Sequence, residues 1–164
     1  MKIRIFLLCC LSSAALLLPG CEETGDDLPW TFSGAAGGCG DFIVYRQSDD
    51  GLAAVFIRAV TDSLDLDENG NTYDLSRNHT GLSVSLHVFE ENAVGYYCVT
   101  HPPNLDFETW SGIDGTIGIQ IEEGDSLGYH VSAQLEKIVF TRDNESLTLK
   151  EMSFEAVWVG WYPH

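Results

Sequence analysis

The chain reads as an all-β protein, an antiparallel β-sandwich of about eight or nine strands in the immunoglobulin-like or jelly-roll-like manner, behind an apolar leader and a flexible tether. Three observations carry this reading. From residue 39 onward the apolar residues recur with a period of two rather than 3.6. The strand-like runs are short and separated by Gly/Asp/Asn turns. No stretch combines an amphipathic helical period with capping residues. A chain of 164 residues, 45% hydrophobic and 11% aromatic, suits one packed domain and is too apolar for an acidic disordered tail.

Taken in order, Phe42-Ile43-Val44-Tyr45 is a first strand, Ser48-Asp49-Asp50-Gly51 a turn, and Leu52 to Val60 a second strand. Thr72 to Leu75 is short. Leu82, Val84, Leu86 and Val88 alternate with Ser83, Ser85, His87 and Phe89, a half-buried strand that turns His87 to solvent. Glu90-Glu91-Asn92 leads into a strand from Val94 to Val99. Residues 100–115, with Pro102 and Pro103, form the longest irregular segment. Ile117, Ile119 and Ile121 share one face of the next strand, as do Tyr129, Val131, Ala133 and Leu135. Ile138 and Phe140 then occupy the former polar register, which predicts a bulge near Glu136–Lys137. Leu147 and Leu149 follow, and a second slip near Lys150–Glu151 precedes a terminal strand from Phe154 to Trp161, where Trp158 and Trp161 read as core or edge cover.

The first twenty residues are an address. Lys2 and Arg4 form a positive start, Ile5 to Leu18 is apolar apart from Ser12 and Ser13, and no acid precedes Glu22. Leu18-Pro19-Gly20-Cys21 resembles the lipobox of bacterial lipoproteins, with Pro19 departing from the commonest pattern. The resemblance implies removal of residues 1–20, diacylglyceryl and amide-linked acyl chains (palmitate among them) on Cys21, and a membrane partner reached through those chains. It implies residence in the cell envelope, with the outer membrane expected, on its periplasmic or its surface side. Acids directly behind Cys21 also resemble the export signals of some surface lipoproteins. Residues 21–38, acidic and then Gly-rich, read as the tether, with Trp30 and Phe32 either docking on the domain as an edge strand or marking a contact surface. The domain then spans residues 39–164.

Of the five cysteines, Cys9 and Cys10 would leave with the leader and Cys21 would carry lipid. Cys39 and Cys98 remain as an even pair in an oxidising space, which favours a disulfide over free thiols or a metal site. Cleavage would remove two bases and no acid, leaving 6 bases against 25 acids, a formal charge of −19. Such a surface excludes nucleic acid as a partner and stays solvated beside anionic lipid.

Asp65, Asp67 and Asn69 in Asp65-Leu66-Asp67-Glu68-Asn69-Gly70 match the opening of an EF-hand-type calcium loop, with alternate side chains offering oxygens. Ser76 stands where a bidentate Glu belongs, and Leu64, Leu66, Tyr73 and Leu75 favour a hairpin turning at Asn69-Gly70 instead. Any calcium here would be structural; no other cofactor is expected. The five histidines show no metal-ligand or catalytic spacing. Trp110 with Asp106, Glu108 and Asp114 is the candidate ligand-binding set, an aromatic face with carboxylates for a sugar; the competing reading has Phe107 and Trp110 plugging one end of the sandwich. With 25 acids, sequence cannot choose a catalytic pair. The expectation is therefore a non-catalytic binding or structural module of the envelope, with a carbohydrate or an envelope protein as partner. An accessory sugar-binding protein is the alternative, and a carboxylate hydrolase ranks last.

Overall fold

A computed structural model describes residues 25–64, 66–125 and 127–161. The expected leader (residues 1–20), the expected lipidation residue Cys21 and Asp65 of the calcium-loop motif lie outside the described residues. The described chain is all-β, as the period of two requires. Its elements are β1 (Asp26–Asp27), β2 (Gly37–Cys39), β3 (Ile43–Gln47), β4 (Ala53–Ala59), the four-residue helix α1 (Thr61–Leu64), β5 (Asn71–Asp74), β6 (Leu82–Phe89), β7 (Phe107–Asp125), β8 (Gly128–Arg142) and β9 (Glu145–Gly160).

The nine strands form one mixed sheet in the order β1-β9-β8-β7-β6-β4-β3-β2, with β5 off this path and paired to β7, where two facing sheets were expected. All pairings are antiparallel except β1 with β9. The sheet curls into a half-barrel, and β2 comes back toward the end of β9, where the Gly40 amide donates to the Gly160 carbonyl at 3.1 Å. The length of β7, β8 and β9 explains the difference. Each is bent rather than broken, so one strand serves both sides of the core. Register shifts lie between Gly112 and Thr116 of β7 and between Val131 and Ala133 of β8. Gly115 at φ +102°, Lys137 at 52° and Ala156 at 45° take left-handed backbone there. The predicted bulge at Glu136–Lys137 is thus present. Leu149 and Met152 are both buried, so the inward register of β9 also changes at Lys150–Glu151, opposite the bend in β8. The bulge at Ala156, between inward-facing Phe154 and Val157, was not foreseen.

The concave side holds the core. Phe42, Ile57, Leu86, Ile117, Ile119, Leu135, Ile138, Phe140 and Phe154 are fully buried, each contributing about 1.5–3 kcal/mol by its removal from water. A second apolar layer lies on the convex side of β3, β4 and β6, where Ala93 and Tyr97 of residues 90–106 cover Ala54 and Phe89. Residues 94–99 are turns rather than the expected strand, because Gly95 (φ +80°) and Cys98 (φ +59°) take left-handed backbone that interrupts the alternation. Residues 107–115, expected to be irregular, are extended and open β7.

Residues 25–38 are laid against the sheet. The Leu28 amide donates to the Thr148 carbonyl at 3.1 Å, and Trp30 and Phe32 pack against the core. The Asp49 carboxylate accepts Thr31 Oγ1 at 2.7 Å and both the amide and hydroxyl of Ser33 at 2.8 Å, which ties this segment to the β3–β4 turn. The Cys39–Cys98 disulfide fastens the covering loop to β2, across a sequence separation of 59.

A candidate binding cleft at the end of the curled sheet

Where the β2–β3 turn, the end of β4, α1, the start of β8 and the end of β9 meet, the sheet leaves a cleft of about 800 Å³. Glycine makes the strand crossing there close. A Cβ on Gly128 would lie 2.4 Å from the Val159 carbonyl oxygen, and one on Gly160 would lie 2.2 Å from that of Leu127. The Tyr129 phenol donates to the Asp41 carbonyl. Burial, then the nearby Asp41 carboxylate, pushes this phenol up to about 12, so it remains a protonated donor.

Trp161 stands at the lip and is 67% exposed. Its indole N–H donates to Asp41 Oδ1 at 3.4 Å, and Gly40 lies beneath the ring, where a Cβ would come within 3.7 Å of Cζ2. The ring is therefore oriented without being covered. Val60 and Leu127, 45% and 47% exposed, line the same cleft. Arg58 and Asp62 are exposed beside them, and Arg58 has no ion-pair partner among the described residues. In a chain with 25 acids that is a cation held available.

A second polar grouping lies under the covering loop. His87, on the convex face of β6, is not turned to solvent as its alternation predicted. Its Nδ1 shares a 2.6 Å hydrogen bond with the Tyr97 hydroxyl, and its Nε2 a 3.2 Å bond with Ser85 Oγ. Phe56 stacks on the imidazole at 5.1 Å and Phe107 lies at 4.8 Å. Burial lowers the imidazole to about 4. The Ser85–His87–Tyr97 chain resembles a nucleophile and base in outline. A base this weak, however, is mismatched to proton abstraction near neutrality, and the grouping works as a clamp on residues 90–106.

The candidates read from sequence are dispersed. Trp110 is 7% exposed and its ring belongs to the core, which leaves no face for a sugar to stack on. Glu108 pairs with Arg142. Asp114 accepts the Gly115 amide at 2.7 Å within the β7 bulge. Asp106 is exposed, its carbonyl accepting the Glu90 amide at the loop's end. Glu108 and Asp114 are six residues apart along one strand, roughly 20 Å. The Asp67 carboxylate accepts the Asn69 amide at 2.9 Å, Asn69 Nδ2 at 3.2 Å and the Gly70 amide at 3.2 Å, closing a turn. That turn does not join a hairpin of neighbours in sequence, since β5 pairs with β7.

The residues of the cleft, Trp161, Asp41, Arg58 and Asp62, carried no motif. Trp161 follows an apolar strand, and only the closure of β2 against β9 leaves its ring beyond the edge of the core. Comparison with protein-family models, curated proteins and solved structures finds no match.

Proposed function

We propose that this protein is a lipid-anchored module of the bacterial cell envelope that works by binding rather than catalysis, with the cleft at the end of β9 as its ligand seat. The single observation that carries the reading is Trp161, an exposed ring held in place by Asp41 and Gly40 at the mouth of a cleft. Fixed aromatic rings with a few convergent polar groups are how binding sites gain affinity without ordering costs. The position of the cleft suits an anchored protein. Asp26 already belongs to β1, so at most five residues, roughly 18 Å of chain, separate it from Cys21. β1 pairs with β9 at Leu147–Thr148, and the cleft lies at Gly160–Trp161. Twelve strand residues, roughly 40 Å of contour, thus carry the cleft away from the lipid end.

The test is made in a bacterial host with the full chain. Wild type should partition to the outer membrane, and mass spectrometry should find Cys21 as an acylated first residue. Cys21→Ala should release the protein from the membrane fraction while leaving its melting temperature unchanged. An intact Met1 on membrane-purified protein would refute the anchoring.

A further inference from the structure

We infer that the cleft is a carbohydrate site that takes an uncharged glycan, stacked on Trp161 and hydrogen-bonded by Arg58 and Asp62. The inference deepens the proposed function and rests on the cleft being the ligand seat. A pyranose offers two kinds of surface, a face of C–H groups and a rim of hydroxyls. Its C–H face matches an aromatic ring of negative face potential, and its paired hydroxyls match planar groups that donate or accept two hydrogen bonds at once. The cleft has one of each. Trp161 supplies the ring, already oriented by its bond to Asp41 Oδ1. Arg58 supplies a planar fork of donors without an internal ion pair, and Asp62 an exposed carboxylate acceptor. Val60 and Leu127 add apolar edges of the kind that pack against the less polar side of a sugar ring.

The remaining ligand classes fit less well. One base and two acids line the cleft, in a chain with 25 acids against 8 bases, so anionic polymers meet net repulsion. An acyl chain or other wholly apolar guest would desolvate Arg58, Asp41 and Asp62 without pairing them. A volume of about 800 Å³ lies within the range of small-ligand and oligomer pockets, whereas a flat protein partner gains nothing from the concavity.

The test uses the acylated full-length product in detergent. Isothermal titration is made with soluble neutral hexasaccharides of glucan, mannan and chitin type, and with a sulfated hexasaccharide of matched length. At least one neutral series should bind with a Kd between micromolar and millimolar, with little dependence on salt, and the sulfated one should not. Trp161→Ala should weaken that binding at least tenfold, Trp161→Phe should restore part of it, and Arg58→Met and Asp62→Asn should each weaken it several-fold. Val94→Ser, at an exposed site in the covering loop, should leave it unchanged. All variants should keep the wild-type melting temperature. Absence of binding to every neutral series, or binding that Trp161→Ala leaves intact, overturns the inference. A photo-crosslinking residue at position 127 separates the two levels. Crosslinking to an envelope protein instead of glycan refutes the sugar while leaving the cleft as the ligand seat, and no crosslink together with no glycan binding removes both.

Discussion

Lowering the pH from 7 to 5 should destabilise this domain through one imidazole. His87 sits among Phe56, Phe89, Phe107 and Tyr97, and its ring nitrogens bond the hydroxyls of Tyr97 and Ser85. Burial holds it at about 4 in the folded protein, against 6.5 in an exposed chain. Because the folded value is the lower one, the unfolded chain takes up the proton first as the pH falls. Stability is therefore complete above pH 6.5 and declines as the pH drops toward 4. The full interval corresponds to about 3 kcal/mol, and the solvent-facing edge of the ring reduces the expected loss to about 2 kcal/mol. Urea unfolding at pH 7.0, 6.0, 5.0 and 4.5 measures it, and with a slope near 2 kcal/mol/M the midpoint should fall by about 1 M. The control is His87→Phe combined with Tyr97→Phe and Ser85→Ala, which keeps the ring stack and removes every group of the hydrogen-bonded chain, leaving no orphaned hydroxyl. Its midpoint should stay nearly level down to pH 5. Equal losses in wild type and control would show that carboxylates, not His87, carry the acid sensitivity.

Other expectations follow from the same geometry. Replacing both Cys39 and Cys98 with Ala opens a loop across a sequence separation of 59, so chemical denaturation should report a loss of about 4 kcal/mol in the chain-entropy model. Gly115→Ala places a Cβ 2.5 Å from the Lys137 carbonyl oxygen at φ +102°; a loss of about 3 kcal/mol is expected, read as a lower melting temperature. Since the Asp67 carboxylate already accepts three N–H groups of its own turn, thermal melts with calcium and with chelator should coincide, and a rise of several degrees with calcium would refute that reading.

Much of the fold was legible along the chain. Inward and outward residues alternate in any strand packed on one side, so Leu82–Phe89 could be bounded correctly and the slip at Glu136–Lys137 could be recognised as a bulge. The Cys39–Cys98 bond matches the pairing expected if Cys9 and Cys10 leave with a leader and Cys21 carries lipid. Alternation, however, records only that one face is covered, not by what. It could not tell one curled sheet from two facing ones, because long strands that bend at Gly115, Lys137 and Ala156 present the same pattern as pairs of shorter strands. It assigned His87 to solvent because nothing local announces that residues 90–106 fold back over the convex face. The ranking of the tryptophans was decided at the same level. Trp110 is buried and Trp161 exposed because β7 runs through the middle of the sheet while β9 ends at its rim, and the distance of a residue from the edge of a core is set by the whole sheet's closure, not by its neighbours in sequence.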